Sequence, residues 1–164
     1  VIVSEKAREA SVEEWARHPK ASVRNRSGPR GNSALTVLVV DDNERYRSDL
    51  VEFLQKQKWT GLVRVARSGE EAIALTRTVA PDLVLIDVNM PGMSGFESTR
   101  QIKNLFPHTK VVFTTIHEKF TTEVLSEYLN ADGFVCKSSA KSEIPRVLRR
   151  LGFEIQPRTH RAEK

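Results

Sequence analysis

LTVLVVDDN, residues 35–43, decides the fold. Its first six residues are apolar or β-branched and show no alternation with polar ones, as expected of a strand covered on both faces. The run ends in Asp41-Asp42-Asn43, residue types that cap helices, after which Tyr46, Leu50, Phe53 and Leu54 recur at helical spacing. A doubly covered strand that feeds directly into a helix is half of a parallel βαβ unit.

The same unit repeats outward. LVRVA (62–66) predicts a second strand. Ser68 with Glu71 forms a capping box ahead of Ala72, Ile73, Leu75 and Val79, and Pro81 stops that helix. DLVLID (82–87) is a third strand; Pro91-Gly92 and Gly95 mark a loop, and a helix through Phe96, Ile102 and Leu105 runs to Pro107. KVVFTT (110–115) is the fourth strand, with a fourth helix over about 118–130, and GFVCK (133–137) is the fifth, with a last helix through Ile144, Val147, Leu148 and Leu151. Five βα units in residues 35–151 predict an α/β fold: a five-stranded parallel sheet, right-handed crossovers and helices on both faces.

The chain has 164 residues, enough for one domain plus tails, and its 39% hydrophobic content can fill a core. One cysteine excludes an internal disulfide, and no Cys/His cluster has zinc spacing. No apolar run approaches the roughly 20 residues of a membrane helix. The start, VIVSEKAREASVEEW, turns charged after three apolar residues, unlike a secretory signal. A soluble, cytoplasmic protein without membrane attachment is expected. The net charge of +5 is uneven: residues 1–34 carry net +3, while 35–151 hold 16 basic and 15 acidic residues. The expected organisation is a basic extension (1–34) ending in a Gly/Pro/Ser/Arg-rich linker, a domain (35–151) and a tail (152–164). The extension lacks interleaved aromatics, so it reads as a solvated tail rather than a nucleic-acid-binding segment.

Sites in open α/β sheets lie beyond the carboxyl ends of the strands. Here those ends carry Asp41 and Asp42, Asp87, Thr115 and Lys137. Taken singly, an acidic pair there is a helix cap and a lysine is solvated. Three carboxylates at one sheet edge repel one another, and a divalent cation relieves that repulsion. Oxygen ligands without imidazole or thiolate favour Mg²⁺ or Mn²⁺, ions that also prefer phosphate oxygens. An aspartate can accept a phosphoryl group covalently, with Lys137 as a second cation and Thr115 as a donor.

Together VVDDN (39–43), LVLIDVNMPGMSGFE (83–97), KVVFTTIH (110–117) and GFVCKSS (133–139) resemble the receiver domain of bacterial two-component response regulators, in the style of LuxR/NarL-type receivers. The resemblance implies a flavodoxin-like (βα)5 fold with strand order 2-1-3-4-5. It implies Asp87 as phosphoacceptor, and Asp41, Asp42, Asp87 and the Asn89 backbone carbonyl as Mg²⁺ ligands. Thr115, Phe134 and Lys137 become the switch hydroxyl, the switch aromatic and the phosphoryl-contacting lysine. A sensor histidine kinase would be the donor. The surface of the fourth helix, fifth strand and last helix would switch and could form a homodimer, with Lys141, Arg146, Arg149 and Arg150 on it. DNA would be reached only through an output domain absent from this sequence. The chain would not be an enzyme, beyond catalysing its own phosphorylation and dephosphorylation.

Two departures stand out: Ser138 replaces a proline common after the lysine, and bulky Ile116 is expected to narrow access to Asp87. Phe134 also fits a core aromatic, Met90 and Met93 packing residues, and Cys136 a small buried hydrophobe. The competing functions are a phosphorylation-independent interaction module and an Asp-nucleophile phosphatase. The phosphatase normally has a second Asp two residues beyond the nucleophile, where this chain has Asn89.

Overall fold

A computed structural model describes residues 34–116 and 131–155. In chain order the described elements are β1 (Leu35–Val40), α1 (Glu44–Gln55), β2 (Thr60–Ala66), α2 (Gly69–Val79), β3 (Leu83–Asp87), α3 (Gly95–Leu105), β4 (Lys110–Thr115), β5 (Gly133–Cys136) and α4 (Ala140–Arg150). The five strands form one sheet in the order β2-β1-β3-β4-β5, and every neighbouring pair is parallel. The doubly covered sheet expected from the apolar runs is therefore present. The helix expected over about 118–130, the residues before 34 and those after 155 lie outside the described residues.

Strand alternation sorts the core into two layers. Val37, Val39, Leu83, Leu85, Val112 and Val135 pack on one face, under Leu50 and Leu54 of α1 and Ile144 and Leu148 of α4. Leu38, Val40, Val84, Ile86, Val111 and Phe113 pack on the other, under Ala72 and Ile73 of α2 and Ile102 of α3. Phe96 of α3 meets Phe113 edge-on, centroids 5.2 Å apart, a favourable quadrupole arrangement. β3 is buried along its whole length because it is the central strand. The edge strand β2 is only partly covered, with Leu62 and Val65 exposed.

Local chemistry sets the helix starts. The Asn43 side chain accepts from Tyr46 N–H at 3.0 Å, Ser68 from Glu71 N–H at 3.3 Å and Ser94 from Glu97 N–H at 3.2 Å. The box at Ser68 closes one residue early, since Glu71 accepts from Arg67 N–H at 2.8 Å. Ala80, at φ 46°, ends α2 in the left-handed region just before Pro81. Two boundaries differ from expectation. β2 begins at Thr60, earlier than its apolar run, because Leu35 pairs with Thr60 across the edge. β5 ends at Cys136, leaving Lys137 in the turn before α4.

Candidate functional site

Three charged side chains converge because they share one strand phase. Asp41 lies two residues beyond Val39, Asp87 two beyond Leu85 and Lys137 two beyond Val135, and Val39, Leu85 and Val135 pack in the same layer. Period-two alternation carries each charge onto that face, at the carboxyl edge of three strands. Thr115 follows Phe113 by two residues, and Phe134 joins the other layer, so these two share the opposite face.

The geometry is close. Lys137 Nζ lies 2.7 Å from Asp41 Oδ2 and 2.9 Å from Asp87 Oδ2. Carboxylate oxygens of Asp41, Asp42 and Asp87 all fall within 4.8 Å of one another. Asp41 is fully buried and Asp87 is 6% exposed, whereas Asp42 faces solvent. The backbone N–H of Lys137 donates to Thr115 carbonyl at 2.7 Å, tying the ends of β4 and β5 together beside the pair. Thr115 itself is buried, and Phe134 is half-buried, packed against the second layer rather than inside it. Asn89 is exposed, and its backbone N–H points back to Asp87 Oδ1 at 3.4 Å.

Helix capping does not explain the acidic pair. Asn43 caps α1, so neither Asp41 nor Asp42 serves as the cap. Asp41 Oδ1 instead accepts from Asn43 N–H at 2.9 Å, and Arg47 holds the Asp41 carbonyl at 2.6 Å. These bonds orient Asp41 without adding a second cation to the carboxylates.

The electrostatics follow from one ammonium facing three carboxylates. Burial raises the Asp87 pKa above the ordinary carboxylate value; the Lys137 hydrogen bond and charge oppose this, and Asp41 adds to it. Burial disfavours the Lys137 charge, yet hydrogen bonds to Asp41 and Asp87 outweigh it and raise its pKa. Tyr46 is also pushed up, chiefly by burial and then by Asp41 and Asp87, so its phenol stays neutral. The cluster is all oxygen, partly open through Asp42 and short of positive charge. That donor set fits a hard divalent cation.

Two further residues shape this site. In the sequence Gly95 marks only a loop. A Cβ there would stand 2.0 Å from the Asp87 carbonyl oxygen, so only glycine lets α3 start this close to the strand end. Tyr46 belongs to the apolar helical stripe by spacing, but its ring lies beneath the Lys137 ammonium, 4.8 Å from Nζ to the centroid. The aromatic four residues after Asp42 was the available signal, but its meaning depends on where β5 ends. Cys136 corrects an expectation: it is half-buried, and its Sγ lies 3.1 Å from Ser138 Oγ. Met90 is buried in the second layer, as expected of a packing residue. Ile116 is 68% exposed and so is not packed into the pocket. No cis peptide bond occurs among the described residues, in keeping with Ser138 in place of proline.

Residues 37–149 match the response regulator receiver domain family. The chain belongs to that family. It is 36% identical over 117 residues to the response regulator GacA of Pseudomonas viridiflava, an alignment covering 70% of this chain and 54% of that protein. It is 33% identical over 115 residues to the response regulator UvrY of Escherichia coli K12, covering 70% and 53%. The chain thus spans about half the length of the curated relatives it matches. Among solved structures it is similar to a LuxR-family two-component response regulator from Aurantimonas sp. SI85-9A1 (TM-score 0.66, 26% identity, 73% of this chain and 85% of that one). It is also similar to the receiver domain of the putative regulator NarL from Mycobacterium tuberculosis (TM-score 0.63, 26% identity, 73% and 96%). The two-component signalling role and the LuxR/NarL flavour read from the motifs are those of the family. Among the described residues no helix is long and apolar enough to cross a membrane.

Proposed function

We propose that Asp87 is the phosphoacceptor of this receiver domain. A carboxylate oxygen of Asp87 attacks the phosphorus of a phosphohistidine on a sensor kinase, the P–N bond breaks, and the imidazole leaves with the electron pair. Asp41, Asp42, Asp87 and the Asn89 backbone carbonyl would hold Mg²⁺ or Mn²⁺. When bound, that cation offsets charge on the phosphoryl oxygens. Lys137 moves from pairing two carboxylates to pairing a phosphoryl oxygen. Thr115 offers its hydroxyl to another oxygen, and Phe134 follows into the space Thr115 leaves. The added charge of about −1.5 to −2 would then bias the surface of β5, α4 and the helix expected over about 118–130 toward a second arrangement. That surface would mediate homodimerisation, and transcriptional output would come from a DNA-binding domain outside this sequence. Residues 35–151 would be the signalling unit, working in the cytoplasm, with 1–34 and 152–164 as flanking segments.

The observation that carries this reading is Lys137 Nζ held between Asp41 and Asp87, within 3 Å of each, beside a third carboxylate. The test is incubation with Mg²⁺ and acetyl phosphate, followed by intact mass. One phosphoryl group is expected on the wild-type chain and none on Asp87→Asn. Unchanged wild-type mass would instead mark an interaction module that works without phosphorylation. Sustained turnover of phosphate esters would mark a phosphatase.

A further inference from the structure

We propose that Tyr46 is a positioning residue, whose aromatic face holds the Lys137 ammonium between Asp41 and Asp87; the inference rests on Asp87 being the phosphoacceptor. An ammonium has three N–H groups. One donates to Asp87 Oδ2 at 2.9 Å, and the charge also lies 2.7 Å from Asp41 Oδ2 as an ion pair. The Tyr46 ring stands 4.8 Å from the same nitrogen, within the range at which a ring quadrupole attracts a cation.

The ring answers a specific need. Lys137 and Tyr46 both line an open cavity of about 350 Å³ that extends to Ser138, Ser139 and Lys141 at the start of α4. A flexible four-carbon side chain beside that space has somewhere else to go, and fixing it costs rotamer entropy. A third carboxylate at this position would hold the ammonium too strongly for it to turn to a phosphoryl oxygen. A π face attracts the charge without offering a competing lone pair. The hydroxyl plays no part in this: Tyr46 Oη is buried and has no hydrogen-bond partner among the described residues. The ring is therefore the functional portion, and phenylalanine should replace tyrosine while leucine should not.

The reaction served is the one with a small donor. An Asp87 oxygen bonds to phosphorus, the bridging P–O bond of acetyl phosphate breaks, and acetate leaves with the electron pair. Removing the ring loosens the cation that meets the incoming charge, so Tyr46→Leu should accept phosphate about three- to tenfold more slowly. Tyr46→Phe should react at the wild-type rate.

Nuclear magnetic resonance of the metal-free protein supplies a readout that needs no phosphodonor. A lysine over an aromatic face has its ε-methylene protons shifted upfield by the ring current. The Lys137 resonances should lie upfield of those of solvent-exposed lysines in wild type and Tyr46→Phe, and return to the common position in Tyr46→Leu. A wild-type Lys137 resonance at the common position overturns the proposal, without recourse to any variant. A folded Tyr46→Leu chain phosphorylated at the wild-type rate overturns it as well. Equal slowing in the Phe and Leu variants would assign the effect to the hydroxyl and also overturn it. A wild-type chain that takes up no phosphoryl group removes the reaction Tyr46 is meant to serve. That failure of the phosphoacceptor reading is told apart by a ring-current shift that persists.

Discussion

At the amino ends of β4 and β5, Asp132 meets two lysines; at the carboxyl ends, Asp41 and Asp87 share one. Asp132 lies within ion-pair distance of Lys103, at 2.5 Å, and Lys110, at 3.0 Å, and it accepts from Val111 N–H at 2.8 Å. Lys103 also donates to the Thr109 carbonyl at 2.9 Å. Burial alone would raise the Asp132 pKa, but the bonds from Lys103, Val111 and Lys110 outweigh it, and the carboxyl titrates below its ordinary value. Asp87 is more deeply buried, faces a single ammonium and shifts the opposite way. The first site is saturated with donors and joins α3, β4 and β5. The second is left short of positive charge, so it gains from any added cation. The same residue types thus make a clamp at one end of the sheet and a receptive pocket at the other, and the ratio of donors to carboxylates separates the two.

The comparison can be broken by substitution. Gly95→Ala should be the most damaging change. Its new Cβ would collide with the Asp87 backbone, costing about 3 kcal/mol and displacing the pocket. Urea unfolding together with acetyl phosphate uptake would measure both effects. Asp132→Ala should come next. It strands two lysines and one N–H, and should cost about 2–3 kcal/mol in urea unfolding while the pocket remains able to accept phosphate. Asp87→Asn should leave the metal-free chain within about 1 kcal/mol of wild type or more stable, because it removes one of three clustered carboxylates. If the Asp87 and Asp132 variants lost equal stability, the contrast would be wrong.

Mg²⁺ sharpens the contrast at a smaller scale. At ten times its dissociation constant it should stabilise the wild-type chain by about 1.4 kcal/mol. Thermal unfolding should show that gain reduced in Asp42→Asn and unchanged in Asp132→Asn. The pH dependences should have opposite signs. Asp132 is depressed on folding, so its contribution is present above the ordinary carboxylate pKa and fades as pH falls through its lower folded value. Asp87 is raised on folding in the metal-free chain. Its contribution is present below the ordinary value and is lost as pH climbs through the raised one. Stability measured against pH for Asp132→Asn and Asp87→Asn would separate the two slopes.

Much of this is legible in the order of the amino acids. The runs of apolar and β-branched residues at 35–40, 83–86 and 111–115 read as strands covered on both sides, and the segment after each of the first two has room for a helix. The acidic and basic strand ends followed from the same runs. Less legible was the start of β2, because an edge strand is held by backbone pairing to β1 and needs few apolar residues. Gly95 looked like any loop glycine, since its constraint comes from the Asp87 carbonyl eight residues earlier in the chain.

The sequence by itself determined which strand ends carry charge, because hydrophobic runs announce where strands stop. It also determined which layer each charge joins, because alternation is a property of the chain. Only the tertiary structure decided that one lysine serves two aspartates and rests on the Tyr46 ring, and that Asp132 gathers Lys103 and Lys110. Those partnerships join residues 22 to 96 positions apart, where strand order and crossover set the distance and no local pattern records it.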